Sequence, residues 1–124
     1  MIRLKDKIFT CPIDVALYFI SGKWKILILS YLYYGPPRRF FQIKNNLPGV
    51  SEKVMLQQLA HLEDDGLIKK TIITKKPLTV DYSLTDKGET FAPVIKYLSE
   101  WGIDYLLKNG IDYNKDQNLF KEMI

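Results

Sequence analysis

The 124-residue sequence has few of the side chains that build metal sites and disulfides, with Cys11 as its one cysteine and His61 as its one histidine. A single cysteine cannot form a disulfide within the chain, and one cysteine with one histidine cannot supply a Cys/His zinc cluster. No upstream glycine makes Gly22-Lys23 a phosphate-binding loop, and no paired carboxylates or nucleophile–base motif is recognisable. We therefore expect no metal, no cofactor and no enzymatic activity.

Long apolar runs are also lacking. The longest, from Ile26 to Tyr34, is interrupted by Ser30 and is too short for a membrane span, which needs about 20 residues. The N-terminal arm is basic and has no apolar core of signal-peptide length. These features predict a cytoplasmic protein without a membrane partner.

The composition suits a single domain over residues 1–124, with its core within about 11–102. Hydrophobic residues make up 47% of the chain, which is enough to bury a core. The formal charge of +4, from 18 basic and 14 acidic residues, is compatible with a polyanionic partner but is too small to identify one.

Apolar spacing and capping residues predict five helices. The first has an apolar stripe of Ile13, Ala16, Leu17 and Ile20, and the second is apolar around most of its circumference, which indicates a central buried helix. A polar tail follows the last helix. The predicted helices run from Cys11-Pro12 to Ile20, from Lys23 to about Tyr34, from an exposed start at Arg38-Arg39 to Leu47, from Ser51 to Asp65, and from Thr85 to about residue 110.

Two β-rich runs, Ile68 to Ile73 and Val80 to Leu84, lie between the fourth and last helices, and the second alternates apolar with polar residues. They predict a hairpin whose connecting segment, 74–79, is basic. This order of elements predicts a mainly helical α+β fold, a winged helix-turn-helix with extra N- and C-terminal helices. In such folds the second helix of the motif enters the major groove of DNA.

The fourth helix is the predicted recognition helix. Its core stripe is Met55, Leu59 and Leu62, and Lys53, Leu56 and Gln57 lie on or beside the opposite face. Gln pairs with adenine, Lys donates to guanine, and Leu contacts a thymine methyl, so these three residues are the candidates for base contacts. The alternative is that they only solvate an exposed helix.

Candidate phosphate contacts lie at helix starts and on the wing, where groups that follow the DNA backbone are found. Each of them could instead simply face solvent. The acidic end of the recognition helix, residues 63–65, should point away from the duplex. The candidates are Arg38, Arg39, Ser51, Lys75 and Lys76.

Several short segments of the sequence together carry a family resemblance. They are Cys11-Pro12, Gly22-Lys23-Trp24-Lys25, Arg39-Phe40, Leu47-Pro48-Gly49-Val50-Ser51, Gln57-Gln58-Leu59, Leu62-Glu63, Asp65-Gly66-Leu67, Tyr82-Ser83-Leu84-Thr85 with Gly88, and Trp101-Gly102. Over about residues 11–102 they resemble the HxlR-type family of winged-helix regulators. The resemblance implies a bacterial or archaeal transcription factor that dimerises through its first and last helices and binds an inverted repeat, with repression commoner than activation.

The sequence departs from the family pattern at sites that bear on specificity. Gln42 stands where an acidic residue is common, and Leu56 stands where a small polar residue is frequent. The wing segment from Thr79 to Tyr82 lacks the arginine that often precedes it in the family. Minor-groove insertion of an arginine is therefore not expected, and Lys75 and Lys76 are the candidates to replace it.

Aromatic and apolar residues on the first and last helices predict a homodimer interface, because an isolated domain of this size would otherwise expose an apolar stripe. Lining of a small-molecule pocket is the alternative for the aromatic members. The interface candidates are Tyr18, Phe19, Phe91, Ile95, Leu98, Trp101 and Tyr105.

Cys11 precedes a helix N-terminus, where the helix dipole favours a thiolate, and Lys5 and Lys7 are near in sequence. Some HxlR-type regulators use an N-terminal cysteine to sense oxidants or electrophiles. Cys11 is therefore a candidate sensor, with an intermolecular disulfide as one output, and the alternative is a small structural side chain.

The predicted function is sequence-specific binding of duplex DNA by a homodimer that regulates transcription, with a small molecule or an oxidant as a candidate inducer. The alternative is a winged helix that contacts another protein and does not bind DNA specifically. Salt dependence separates them, since a protein that neutralises about six to ten phosphates loses roughly 10³ to 10⁵ in affinity between 50 and 200 mM salt.

Overall fold

The computed structural model describes residues 1–112, and it places six helices and two antiparallel hairpins in this part of the chain. The polar tail predicted after residue 112 lies outside the described residues. In chain order the elements are β1 (Ile2–Leu4), β2 (Lys7–Phe9), α1 (Pro12–Ile20), α2 (Trp24–Tyr33), α3 (Phe40–Asn45), α4 (Glu52–Asp64), β3 (Ile68–Lys75), β4 (Leu78–Leu84), α5 (Asp86–Glu89) and α6 (Ala92–Lys108).

Helix α2 is the centre of the core, as its apolar circumference predicts. Ile28 and Leu29 are fully buried, and α2 contacts α1, α4, α6 and β4. Residues from α3 and α4, including Ile43, Met55 and Leu62, are also fully buried in the same cluster. The core stripe predicted for α4 is therefore confirmed.

The wing is the antiparallel pair β3–β4, and its strands are longer than the sequence predicted. The connecting segment is not residues 74–79, because Thr74 pairs with Thr79 and Lys75 pairs with Leu78. A register shift between Ile72 and Thr74 lets one extra residue fit into β3. Only Lys76 and Pro77 remain between the strands, so the basic connection is a tight turn.

Residues 1–10 form a hairpin, whereas the sequence predicted only a basic arm. Strands β1 and β2 pair antiparallel from Ile2–Phe9 to Leu4–Lys7, and Lys5 in the turn has a positive φ of 54°. The available signal was Ile2 and Leu4 before the polar Lys5-Asp6 pair and Ile8 and Phe9 after it.

The last predicted helix is two helices. Thr85 does cap a helix, since its hydroxyl accepts a hydrogen bond from the Gly88 amide, but that helix ends at Glu89. Helix α6 then begins at Ala92, with Pro93 in its first turn. Proline has no N–H, so it cannot bond the carbonyl of Glu89, and the chain breaks between the two helices.

The apolar stripe predicted for α1 is only partly buried. Ile20 is in the core, but Ile13 is 70% and Leu17 is 52% exposed. Both exposed residues lie on the same face of the helix as Ile20, seven and three positions before it, so within residues 1–112 this face is buried only at its C-terminal end.

The architecture confirms the predicted winged helix-turn-helix. Helices α3 and α4 form the motif, β3 and β4 form the wing, and α1 and α6 pack on α2 or flank it. No single described helix is long and apolar enough to cross a bilayer. Helices α1 and α2 reach the required length and composition only as a pair, and they are bent by 81° at their junction.

Candidate nucleic-acid interface

Helix α4 begins at a well-formed cap, as its sequence predicts. The Ser51 hydroxyl accepts a hydrogen bond from the Val54 amide at 3.1 Å, and Glu52 lies in the first turn, where the helix dipole favours a negative charge. At the preceding turn the side-chain amide of Asn46 donates a hydrogen bond to the Tyr31 hydroxyl at 2.9 Å, which links the end of α3 to the central helix. The start of α4 is therefore fixed relative to the core.

The outward face of α4 presents the side chains predicted to contact bases. Lys53 and Gln57 are exposed, and Leu56 is 52% exposed. Ala60 is exposed one turn after Leu56 and adds little bulk to this face. The structure brings these residues together on one surface, and their contact with bases remains a prediction.

The acidic end of α4 is held by lysines of the same chain. Lys87 donates a hydrogen bond to the Asp65 carbonyl at 2.8 Å, and the Lys70 ammonium lies 4.0 Å from the Glu63 carboxylate. Gly66 follows with φ of +75°, the left-handed conformation that ends helices. This end is engaged with β3 and α5, which is consistent with the expectation that it points away from a duplex.

The two candidate phosphate arginines have different surroundings. Both were predicted at an exposed helix start, but Arg38 is partly buried, with its guanidinium 4.2 Å from the centre of the Tyr31 ring. Its backbone exchanges two hydrogen bonds with Tyr82, at 2.9 and 2.8 Å, and so adds a third segment beside the wing. Arg38 is therefore first a structural link between α2, α3 and the wing, and this correction weakens its case as a phosphate contact.

Arg39 is exposed and pairs with the wing. Its guanidinium Nε donates to the Asp81 carboxylate on β4, so part of its charge is already neutralised. Its backbone amide donates to the Gln42 side chain at 2.8 Å. Gln42, where the family commonly has an acid, thus caps α3 without adding a negative charge near Arg39.

The wing carries more positive charge than Lys75 and Lys76 alone supply. Lys75 and Lys76 are exposed at the turn, and Lys69 and Lys70 are exposed at the base of β3. The Lys69-Lys70 pair is visible in the sequence, but the pattern around it indicates only a strand. Four lysines therefore follow this edge of the molecule.

Tyr18 and Phe19 contact the N-terminal hairpin. The Tyr18 ring meets those of Phe9 and Phe19 edge to face, with centroids 5.7 and 5.1 Å apart, and Lys7 lies over it at 4.3 Å. Tyr18 and Phe19 both line a cavity of about 210 Å³ that also reaches Asp65 and Lys87. They are thus partly covered by their own chain.

The other interface candidates divide into two groups. Phe91 and Ile95 are only 9% and 2% exposed, and they belong to the core cluster of this chain. Predicting them as interface residues was wrong, because buried side chains cannot contact a partner. Leu98, Trp101 and Tyr105 are 55%, 69% and 55% exposed, and the last two rings stack with centroids 5.5 Å apart.

Cys11 lies at the N-cap of α1 and is partly exposed. Its side chain makes no capping hydrogen bond among the described residues. Within residues 1–112, no group of three or more His, Cys, Asp or Glu side chains is arranged to hold a metal ion.

Burial raises the pKa of two tyrosines above the ordinary value of 10.0. For Tyr82 burial is the larger cause and the Glu63 carboxylate adds to it. For Tyr34 burial is again first, followed by Tyr33 and Glu100. In both cases the folded protein favours the neutral hydroxyl.

Comparison with known proteins identifies the family. Residues 19–109 match the model of the HxlR-like helix-turn-helix family. The HTH-type transcriptional regulator YkvN of Bacillus subtilis is 36% identical over 96 residues, which cover 77% of this chain and 80% of YkvN.

Solved structures of two regulators superpose well on this chain. The redox regulator HypR in its oxidised form has a TM-score of 0.71 at 32% identity and covers 76% of this chain and 96% of its own. Reduced YodB of B. subtilis has a TM-score of 0.64 at 29% identity, covering 75% of this chain and 91% of its own. With its winged helix, capped recognition helix and basic wing, this chain belongs to the HxlR-like helix-turn-helix family of transcriptional regulators.

Proposed function

We propose that this protein represses transcription as a homodimer that binds an inverted repeat in duplex DNA. The observation that carries the proposal is the exposed face of α4, where Lys53, Leu56 and Gln57 project beside a lysine-rich wing. Side chains of this kind reach base edges in the major groove, while lysines and exposed helix starts contact phosphates.

The homodimer is supported by apolar surface on two helices. On α6, Tyr97 and Trp101 are 70% and 69% exposed, and on α1, Ile13 is 70% exposed. Large exposed apolar side chains clustered on one helix, as on α6, usually mark a contact with another molecule. A second copy of the chain would cover it and would also place two recognition helices on one duplex.

The test of DNA binding is selection of the protein's preferred sequence from a pool of random duplexes, followed by a salt titration on the selected duplex. We expect a palindromic sequence whose half-sites are about one helical turn apart. Affinity should fall roughly 10³- to 10⁵-fold between 50 and 200 mM salt if about six to ten phosphates are contacted. A winged helix that only binds protein would enrich no sequence and show no such salt slope.

A reporter assay tests whether the protein represses or activates transcription. A reporter gene placed behind the selected sequence should be expressed less when the protein is present, because a dimer on the operator blocks the polymerase. Increased expression would contradict repression while leaving DNA binding intact.

Cys11 is proposed as an oxidant sensor, supported by its partial exposure at the start of α1 and by the redox regulators among the similar structures. With added diamide, the two Cys11 thiols of a dimer would lose two protons and two electrons to form a disulfide, and diamide would be reduced to the hydrazine. Non-reducing electrophoresis should show a cross-linked dimer, and the Cys11→Ser variant should show none. If DNA affinity responds equally to diamide in both proteins, Cys11 is not the sensor.

A further inference from the structure

The tip of the wing exposes apolar side chains between lysines. Leu78 is 66% exposed and follows Pro77, which is also exposed, and Lys75 and Lys76 immediately precede them. Ile72 is 59% exposed further along β3. Apolar surface in water is unfavourable, so a tip built only for solubility or phosphate contact would not need these residues.

Leu78 continues the apolar face of its strand beyond the body of the protein. Side chains of a strand alternate between faces, so Leu78, Val80 and Tyr82 lie on the same face of β4. Tyr82 is buried, Val80 is partly buried, and Leu78 is exposed. The apolar face therefore emerges from the core and ends at the tip.

Hydrogen bonds fix the conformation of this tip. The Thr74 hydroxyl donates to the Pro77 carbonyl at 2.6 Å and lies 2.7 Å from the Thr79 hydroxyl. The Thr74 amide donates to the same Thr79 hydroxyl at 3.0 Å. Pro77 and Leu78 are thus held on a turn that is ordered before any partner binds, which lowers the entropic cost of binding.

The charge around the tip indicates what it contacts. Lys75 and Lys76 immediately precede the two tip residues, and the acidic residue of β4, Asp81, is bonded to Arg39. An apolar tip flanked by ammonium groups fits the DNA minor groove, where two rows of phosphates border a narrow floor and apolar side chains can enter between base steps.

We propose that Pro77 and Leu78 form an apolar wedge that enters the minor groove, partly unstacks a flexible pyrimidine–purine step such as TA, and bends the duplex. This inference rests on the proposed function, since it needs the recognition helix to hold the wing on DNA. Such steps unstack most easily, so the wedge gives sequence preference outside the bases read by α4.

The test uses the duplex selected above, with fluorescent labels at both ends so that energy transfer between them reports the bend. Two versions of this duplex are compared, one with a TA step and one with an AA step where the wing tip contacts it. The unaltered protein should bend the TA duplex by about 20–90° and bind it more tightly than the AA duplex. Leu78→Ala should lose most of the bend and bind the TA duplex about tenfold more weakly, with little remaining preference between the two duplexes. Thr71→Ala, an exposed change on the opposite face of β3, should behave like the unaltered protein.

Leu78→Lys separates a wedge from a merely basic tip. A wedge predicts loss of the bend and of the TA preference, whereas a purely electrostatic wing predicts tighter binding, a steeper salt slope and an unchanged bend. The second result overturns the proposal. The wedge proposal is also overturned if the unaltered protein binds the duplex without bending it and the Leu78 variants bind with the same affinity. The tip would then be assigned to a contact with another protein. If the unaltered protein binds no duplex, the proposed function fails as well, so the two failures are distinguishable.

Discussion

Gly88 lies where helix α5 touches the backbone that leads into the wing. A Cβ added at Gly88 would lie 2.1 Å from the Leu67 carbonyl oxygen and 3.2 Å from the Leu84 side chain. That carbonyl accepts a hydrogen bond from the Thr85 amide at 3.1 Å, so it is held in place. The junction between the end of α4, the wing and α5 therefore depends on the absence of a side chain.

We expect Gly88→Ala to destabilise the protein by about 1–3 kcal/mol. In an open helical position the same change would stabilise by about 0.5–1 kcal/mol, because alanine loses less backbone entropy. The clash with a backbone atom reverses the sign here. Urea unfolding at fixed protein concentration measures the change, and Glu89→Ala on the exposed side of α5 is the control, expected within about 0.5 kcal/mol. A neutral Gly88→Ala would mean that α5 moves away from Leu67 at little cost.

Tyr82 couples stability to alkaline pH. Its pKa is raised by burial and by Glu63, so the folded state keeps the proton at a pH where the unfolded chain, with a pKa near 10, has lost it. The stability that this contributes is fully present below about pH 10 and is lost as pH rises through the folded-state pKa.

We expect the Tyr82→Phe variant to lose less stability than the unaltered protein between about pH 9 and pH 11. Urea midpoints measured across this range test the expectation, and Tyr97→Phe, at a tyrosine that is 70% exposed, is the control. If Tyr82→Phe and the unaltered protein have parallel pH profiles, ionisation of Tyr82 does not contribute to alkaline unfolding.

At the level of elements, α4 and the wing are expected to contribute differently to DNA binding. Lys53 and Gln57 lie on the exposed face of a rigidly capped helix, whereas Lys75 lies at the wing turn. A side chain that contacts a base edge discriminates between base pairs, and a lysine that contacts phosphate strengthens binding to every sequence.

Gln57→Ala and Lys53→Ala should each relax specificity at one base pair per half-site, by about 1–3 kcal/mol, whereas Lys75→Ala should weaken binding to all sequences and reduce the salt slope by about one. Affinities for the selected duplex and its single-base variants, measured at several salt concentrations, distinguish the two patterns. Equal and sequence-independent losses for all three variants would contradict base contacts by α4.

Elements with strong local signals were predictable from the sequence. Helix α2 is apolar all round, and α4 has a serine cap, a regular apolar stripe and a glycine after its end, so local preference and tertiary packing agree. The exposed positions of Lys53 and Gln57 followed directly from that stripe.

Elements that depend on contacts distant in sequence were not predictable in the same way. The bridge between Arg38 and Tyr82 joins segments far apart in the chain, so nothing near Arg38 indicated that it would lie against Tyr31. The burial of Phe91 and Ile95, against the exposure of Leu98, depends on where α6 leaves the core. The break before α6 had a local signal in Pro93, but the regular apolar spacing around it favoured one long helix.

At the scale of the whole molecule, the exposed surfaces lie on different elements. Apolar side chains dominate the outer faces of α1 and α6, whereas the outer face of α4 carries polar and basic groups beside Leu56, and the wing carries lysines beside its apolar tip. A dimer that covers the first surface would leave the second open on both subunits. Two recognition helices would then address half-sites about 34 Å apart on one side of the duplex.

The dimer is tested by Trp101→Glu, which places a charge on the apolar surface of α6. We expect self-association to weaken at least about thirtyfold, because an interface tryptophan often contributes about 2 kcal/mol or more. Sedimentation of the purified protein measures this, and Leu78→Lys, an equally drastic change on the wing, should sediment like the unaltered dimer. The same Trp101→Glu variant should lose its preference for the inverted repeat over a single half-site.

In the unaltered protein, inserting about five base pairs between the half-sites should abolish tight binding, since it turns one half-site to the opposite side of the duplex. A dimer that persists in Trp101→Glu would place the interface elsewhere, and binding that tolerates the insertion would mean that the two recognition helices do not contact DNA as one rigid pair.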